Sequence, residues 1–219
     1  MNVPRSVERF LEQAFDRVSG KVFPGSLQPG TLATRLVREA ELAGRSTPLG
    51  PVIPNAFEVG LHPEDLPGDD LPLPVLERAL AAALEDAGAA RGWRLPGPVT
   101  VRLNHHDTAS PGTAEVTTSM VPGARTPWGA LVGSHGRSPI TNNRVVLGRS
   151  PEADITLPDD TVSRKHALLW REDGTVRVRD LGSSNGTTRN GTPVADDAAV
   201  ASGDVLTFGE TTVRLEVTQ

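Results

Sequence analysis

The first half of the chain alternates between helical and strand-like spacing of its apolar residues. Three segments space their apolar side chains as one face of a helix and are followed by glycine: residues 7–18, 29–42 and 73–87. Residues 54–62 alternate like a strand, and residues 98–119 have the pattern of two strands joined as a hairpin. This order of elements predicts a small α+β domain over residues 1–119.

The helical spacing disappears in the second half. Short apolar runs follow one another there, and several are separated by Gly, Asn, Asp or Pro. This pattern predicts an all-β antiparallel sandwich over residues 128–219. Between the halves, "MVPGARTP" (residues 120–127) contains two prolines, one glycine and no apolar period. It is predicted to be a linker between two domains.

Composition narrows the classes of function. A net charge of −5 gives no support to a general binder of nucleic acid or of membrane surfaces. The absence of cysteine excludes a disulfide framework, a cysteine metal site and a cysteine nucleophile. The N-terminal stretch lacks the apolar core of a signal peptide, and the longest apolar run, residues 79–84, is too short to span a bilayer. We therefore expect a cytoplasmic protein without direct membrane insertion.

Residues 182–186, "GSSNG", formally match the G-x-S-x-G turn that carries the nucleophilic serine of α/β-hydrolases. In that fold a histidine follows the serine along the chain, but all five histidines precede Ser184. Ser163 and His166 could also hint at a catalytic pair, but no acid is positioned by motif to orient the imidazole. We therefore predict that the protein is not an enzyme.

The sequence "HHD" (residues 105–107) contains residue types that bind metals. Neighbouring residues on a strand point to opposite faces, so two adjacent histidines rarely reach one ion. We read the segment as solvated polar residues at a turn, and we expect neither a metal nor a cofactor.

The loop around Ser184 has the composition of an anion-binding loop. Serine, asparagine and glycine offer hydroxyl, amide and backbone N–H groups that can bond phosphate oxygens. Arg149 and Arg164, in loops earlier in the chain, offer positive charge. Loops at one end of a sandwich converge although they are distant in sequence. These residues therefore predict a phosphate-binding site.

Three ordered pairs resemble the signature of the forkhead-associated (FHA) domain: Gly148-Arg149, Ser163-x-x-His166 and Asn185-Gly186. "DLGSSNGTTRNG" and "SGDVLTFG" fit the same family, and the resemblance covers roughly residues 128–217. It implies an eleven-stranded β-sandwich that binds phosphothreonine peptides through loops at one end. Residues 159–162 would influence which peptide sequence is preferred.

The resemblance also implies roles for individual residues. Arg149 would be the cation for the phosphate, Ser163 would donate its hydroxyl to a phosphate oxygen, and Asn185 would bond the peptide backbone. Arg164 would add charge, and Ser184 would hold the phosphate or the loop. The remaining matched positions would be loop scaffold: Gly148, His166 and Gly186.

The first half resembles, more loosely, a domain found ahead of FHA modules in actinobacterial proteins. The matching stretches are "RFLEQAFDRVSGKVFPGSLQPGTLATRLVREA", "VIPNAFEVGLHPED" and "GPVTVRLN". That domain has no established chemistry, so we predict no site residues in it. Relatives of this kind serve Ser/Thr-kinase pathways that control cell-wall growth and division.

These resemblances imply an adaptor whose partner is a phosphothreonine-containing protein or peptide, such as a Ser/Thr kinase, a pseudokinase or a substrate of the kinase. A phosphorylated membrane protein would recruit the adaptor to the membrane. The alternative is a structural scaffold or interaction protein that acts mainly through its N-terminal domain.

"EVTTSM" (residues 115–120) resembles a Thr-Thr-Ser stretch that some small actinobacterial FHA proteins carry before the module. In those relatives a phosphorylated threonine folds back into its own FHA site. Thr117 and Thr118 are therefore candidate phosphorylation sites. The alternating pattern favours the other interpretation, in which both lie in a paired strand and are unavailable to a kinase.

Overall fold

The computed structural model describes residues 27–47, 49–66, 72–107, 109–172 and 174–218. The helix predicted over residues 7–18 lies outside them. The described residues divide into two compact units. The first contains residues 27–46, 52–66, 72–88, 95–107 and 109–124. The second contains residues 47, 49–51, 89–94, 125–172 and 174–218. Among the helices in these ranges, none is long and apolar enough to cross a membrane.

Two helices and a small sheet form the first unit. The helices are α1 (Pro29–Ala43) and α2 (Leu73–Arg91), whose residues 89–91 are counted in the second unit. The strands are β1 (Ala56–Leu61), β2 (Thr100–His105) and β3 (Ala114–Ser119). Helix α1 buries one stripe of side chains, as its spacing predicts. Gly88 does not end α2, because it is buried within the helix, which continues to Arg91.

The sheet of the first unit has the order β2-β1-β3. Strand β1 pairs parallel with β2 and antiparallel with β3. The predicted hairpin over residues 98–119 is therefore wrong, because β2 and β3 lie on either side of β1 and do not pair with each other. Strand β1 takes the centre because it has the most apolar buried face, with Phe57, Val59 and Leu61 all at most 2% exposed.

A buried asparagine fixes the ends of this sheet. The Asn55 side-chain amide donates to the carbonyls of Pro98 and Val121, at 2.8 and 2.9 Å, and its Oδ1 accepts the N–H of Val121. Asn55 is therefore fully used in backbone contacts, as expected for a buried polar side chain.

The second unit contains a β-sandwich. Its strands are β4 (Gly129–Gly133), β5 (Gly136–Ile140), β6 (Arg144–Gly148), β7 (Ile155–Thr156), β8 (Ala167–Glu172), β9 (Thr175–Asp180), β10 (Thr187–Arg189), β11 (Thr192–Pro193), β12 (Ala198–Val200), β13 (Val205–Phe208) and β14 (Thr211–Val217). One sheet has the order β11-β10-β13-β14-β4-β5 and the other β12-β9-β8-β6-β7. All pairs are antiparallel except β6 with β7. The predicted β-sandwich is confirmed.

Every second side chain along the strands of both sheets points inward, because successive residues of a strand face opposite sides. These inward side chains form one hydrophobic core. Leu147 and Leu169 come from one sheet, and Leu206 and Phe208 from the other; all four are completely buried. At one end of the core the Phe208 ring meets the His166 ring edge-on, with centroids 5.6 Å apart. This contact places a polar ring directly beneath the loops that form the candidate site.

Candidate functional site

A cavity of about 780 Å³ opens at this end of the sandwich. Its walls come from the loops that follow β6, β7 and β9. All five residues predicted to contact a ligand line it: Arg149, Ser163, Arg164, Ser184 and Asn185. The tertiary structure thus brings together side chains that the sequence separates by up to 36 positions, from 149 to 185.

Gly148 allows two of these loops to touch through their backbones. A Cβ atom at this position would lie 2.1 Å from the carbonyl oxygen of Arg164. The adjoining N–H of Arg149 donates to the carbonyl of Ser163 at 3.0 Å. The glycine is therefore required for space, and it keeps the Arg149 backbone against the loop that carries Ser163.

His166 is completely buried and joins two loops through its ring. Nδ1 accepts the N–H of Ser163, and Nε2 lies 3.0 Å from the carbonyl oxygen of Gly186. Because a carbonyl only accepts hydrogen bonds, this geometry assigns the proton to Nε2 in the neutral ring. Both nitrogens are thus used for backbone contacts, so neither is aligned to activate a serine hydroxyl.

Asp180 organises the loop that carries Ser184. Its carboxylate accepts hydrogen bonds from the N–H of Gly182, from the N–H and hydroxyl of Ser183, and from the hydroxyl of Thr187. Burial raises the pKa of Asp180, but the hydrogen bonds from Thr187, Ser183 and Gly182 outweigh burial and hold the pKa below 3.8. The carboxylate is therefore charged at neutral pH and keeps the loop closed.

The same loop turns through two glycines with left-handed backbone, Gly182 at φ 78° and Gly186 at φ 76°. The N–H of Gly186 donates to Ser183 Oγ at 2.9 Å. Asp180 and Ser183 were not singled out from the sequence, although Asp side chains in turns commonly accept hydrogen bonds from backbone N–H groups a few residues further on.

Ser163 and Asn185 both keep hydrogen-bonding groups that can contact a ligand. Ser163 Oγ accepts the N–H of Ser184 at 3.1 Å, and its own hydroxyl donates to no described residue. The Asn185 amide donates to the carbonyl of Thr161 at 2.8 Å, whereas its Oδ1 accepts from no described residue. The Ser163 hydroxyl, the second N–H of the Asn185 amide and Asn185 Oδ1 therefore remain for a bound molecule.

The cavity wall has more positive than negative side chains. Arg149, Arg164 and Lys165 line it, with Glu152 and Asp160 as the acids. All five are exposed, and none forms an ion pair with another described residue. Lys165 was not predicted, although it directly follows Arg164. Three cations that no described acid neutralises suit the binding of an anion.

The two histidines of "HHD" each contact a different carboxylate. His105 Nε2 lies 3.1 Å from Asp107 Oδ1, and His106 Nδ1 lies 3.0 Å from Glu115 Oε2. No group of three or more His, Cys, Asp or Glu side chains within the described ranges is arranged to hold a metal.

Thr117 and Thr118 lie in β3, opposite Glu58 and Phe57 of β1. Strand β3 is at the edge of its sheet, so its backbone is paired on one side only. Both threonines are thus in regular paired structure.

Two family models match the chain. Residues 145–209 match the FHA domain, and residues 5–117 match the N-terminal domain of FhaA.

Curated relatives come from mycobacteria and corynebacteria. The glycogen accumulation regulator GarA of Mycolicibacterium smegmatis is 38% identical over 115 residues, which are 49% of this chain and 71% of GarA. The oxoglutarate dehydrogenase inhibitor of Corynebacterium diphtheriae is 48% identical over 63 residues, 29% of this chain and 43% of the inhibitor. FhaA of Mycobacterium tuberculosis is 44% identical over 69 residues, 31% of this chain and 13% of FhaA. The chain thus spans less than half of the last two.

Solved FHA domains are similar to part of the chain. One, from a structural and functional analysis of phosphothreonine-dependent FHA domain interactions, is 30% identical with a TM-score of 0.39 and covers 42% of this chain and 97% of its own. Another is the FhaA FHA domain in complex with the intracellular domain of Rv3910; it is 30% identical with a TM-score of 0.38 and covers 40% of this chain and 99% of its own.

The depressed pKa of Asp180 predicts a pH-dependent contribution to stability. The contribution is fully present above the ordinary pKa of 3.8 and is lost as the pH falls through the lower folded-state pKa. We expect Asp180→Asn to lower the free energy of unfolding by about 1–3 kcal/mol at neutral pH. The deficit should shrink as the pH falls below 3.8, because the Asp180 carboxylate of the unfolded wild-type chain then takes up a proton and lowers the wild-type stability, whereas the variant has no such group.

Urea unfolding at neutral pH and at about pH 3, followed by tryptophan fluorescence, measures this difference. Asp160→Asn is the matched control, because the Asp160 carboxylate is exposed and accepts no hydrogen bond from a described residue. An Asp180→Asn deficit of equal size at both pH values would contradict the prediction.

Proposed function

Because the chain belongs to the FhaA N-terminal domain family and carries an FHA domain after it, we propose that it is a phosphothreonine-peptide-binding adaptor in Ser/Thr-kinase signalling. FHA domains bind phosphothreonine peptides. The observation that carries the proposal is the cavity in which Arg149, Ser163 and Asn185 converge with two further cations. This arrangement supplies charge and donors for a phosphate and an acceptor for a peptide N–H.

In the proposed complex the Arg149 guanidinium forms charge-assisted hydrogen bonds with the phosphate, which are stronger than bonds between neutral groups. The Ser163 hydroxyl donates to another phosphate oxygen, and Arg164 adds positive charge. Asn185 Oδ1 accepts from the peptide backbone, while Ser184 holds the loop beside the phosphate. Gly148, His166 and Gly186 keep the loops in place without contacting the ligand.

The proposed domain limits are 1–119 for the N-terminal domain, 120–127 for the linker and 128–219 for the FHA domain. The proposed partner is a phosphorylated kinase, pseudokinase or kinase substrate in the cytoplasm. The proposal includes a partner anchored in the membrane, whose phosphorylation would recruit the adaptor there. A role in cell-wall synthesis or division belongs to the same proposal.

A change at Arg149 tests the site directly. We expect Arg149→Ala to weaken binding of a phosphothreonine peptide by about 10- to 150-fold, because a charge-assisted contact is worth roughly 1.5–3 kcal/mol. Isothermal titration of the full chain measures the affinity. Arg214→Ala is the matched control, because Arg214 is an exposed arginine on β14 that does not line the cavity.

The same titration distinguishes the proposed adaptor function from the alternative, a scaffold that acts mainly through its N-terminal domain. A scaffold that acts through the N-terminal domain predicts no saturable binding of the phosphopeptide by the wild-type protein. Equal losses in the Arg149 and Arg214 variants would mean that general charge, and not the cavity, attracts the peptide.

We expect phosphothreonine to bind more tightly than phosphoserine in an otherwise identical peptide. Burial of the extra methyl group contributes about 0.8 kcal/mol, which is roughly 4-fold in affinity. Competition titrations with the two peptides measure the ratio. Equal affinities would show that the site has no pocket for the methyl group and recognises phosphate alone.

Thr117 and Thr118 are proposed phosphorylation sites whose modification would occupy the FHA site. Strand β3 must first leave β1, because both threonines lie within the paired strand. The ten residues from Thr118 to Trp128 can then extend about 33–36 Å. At an effective concentration on the order of millimolar, even a weak internal ligand competes with a free peptide.

The expected result is that phosphorylation of either threonine by a Ser/Thr kinase lowers the affinity for external phosphopeptide. Mass-spectrometric site mapping followed by titration measures both steps, with the double variant Thr117→Ala/Thr118→Ala as the control. No modification of either threonine, or modification with unchanged affinity, would overturn the proposal.

A further inference from the structure

We propose that Asp159, the turn between β13 and β14 (residues 209–210) and Thr211 at the start of β14 position Asn185 by acting through Thr161. This inference rests on the proposed phosphopeptide function and names residues that control it from outside the cavity. Thr161 is part of the cavity wall, whereas Asp159 and residues 209–211 are not.

The Asn185 side chain is oriented by one protein contact. Its amide donates to the Thr161 carbonyl oxygen at 2.8 Å, and no other described residue bonds to this side chain. The direction in which Asn185 Oδ1 faces a ligand therefore depends on where the Thr161 carbonyl lies.

Asp159 holds Thr161 at two points. Its Oδ1 accepts the Thr161 hydroxyl at 2.6 Å and the Thr161 N–H at 2.8 Å. Its Oδ2 accepts the hydroxyl of Thr211 at 2.9 Å, which connects the pair to the start of β14. The hydrogen bonds from Thr161 and Thr211 lower the pKa of Asp159, so the carboxylate stays charged and keeps accepting all three.

The turn between β13 and β14 contacts Thr161 directly. The N–H of Glu210 donates to Thr161 Oγ at 2.9 Å. Gly209 has a left-handed backbone at φ 60°, and a Cβ atom there would lie 2.5 Å from the Thr161 carbonyl oxygen and 2.7 Å from its Oγ. The N–H of Gly209 also donates to the carbonyl of Gly186, the residue after Asn185. The turn therefore contacts both the acceptor of the Asn185 amide and the backbone beside Asn185.

These hydrogen bonds and close contacts form a continuous path from the turn, through Thr161, to the side-chain amide of Asn185. A side chain at position 209 would displace the very oxygen that orients Asn185. Loss of the Thr211 hydroxyl would remove one of the three bonds that fix the Asp159 carboxylate. Either change should turn Asn185 away from its ligand-binding direction and leave Arg149 and Ser163 in place.

The test compares Gly209→Ala with Gly203→Ala in the full chain. Both glycines have positive φ, 60° and 96°, in turns on either side of β13, but a Cβ atom at position 203 would meet nothing within 4 Å. Backbone strain is thus common to the two variants, and the contact with Thr161 is specific to one. We expect Gly209→Ala to weaken binding of a phosphothreonine peptide by roughly 2- to 10-fold, and Gly203→Ala to leave it unchanged.

A second pair of variants avoids a change in backbone conformation. Thr211→Val removes the hydroxyl at nearly constant shape and should weaken binding, whereas Thr211→Ser keeps the hydroxyl and should restore it. Thermal unfolding followed by circular dichroism verifies that each variant is folded. If Gly209→Ala does not fold, the Thr211 pair decides the question.

A double-mutant cycle separates positioning from general stabilisation. If the turn acts through Asn185, Thr211→Val should cause no further loss of affinity in an Asn185→Ala background. Additive losses, or equal losses in the Gly203 and Gly209 variants, overturn the positioning role. Wild-type protein that does not bind the peptide overturns the proposed function together with this inference. Wild-type binding that Arg149→Ala weakens and Thr211→Val does not overturns this inference alone.

Discussion

The buried imidazole of His166 joins the two loops on which the cavity depends. Its two nitrogens bond the N–H of Ser163 and the carbonyl of Gly186, so one ring fixes a serine on one wall and the turn after Asn185 on the other. The ring packs against Phe208 in the core, which gives the loops a rigid base. Without it, the N–H of Ser163 would lose its partner and the carbonyl of Gly186 would keep only the N–H of Gly209. The unsatisfied N–H would carry the cost of a lost hydrogen bond.

The loops around this ring are held mainly by local hydrogen bonds and by close backbone contact. Asp180 closes the loop after β9, Asp159 closes the loop after β7, and Gly148 lets the backbone after β6 approach Arg164. The carboxylates of Asp159 and Asp180 therefore serve as acceptors for backbone and hydroxyl groups of the loops. On the cavity wall three cations outnumber two acids, which explains how an acidic chain with a net charge of −5 presents a site suited to an anion.

The described part of the first unit differs from the sandwich, because it has a single sheet of three strands. Its most apolar strand, β1, lies in the centre and pairs in both directions. Asn55 ties the chain before that strand to the chain before β2 and after β3. Its helices and strands bury a set of apolar side chains, and its described residues are not among those that line the cavity.

The sequence by itself determined helices α1 and α2, the β-sandwich of the second half and the five predicted residues that line the cavity. Periodicity and loop composition are local properties, and a single chain displays them directly. Only the tertiary structure decided that β1 separates β2 from β3, because alternation identifies the buried face of a strand and not its partner. The contacts of Gly209 with Thr161, and of Asp159 with Thr211, were equally hidden. They join residues about fifty positions apart through backbone distances of a few ångströms, which no local pattern of residue types encodes.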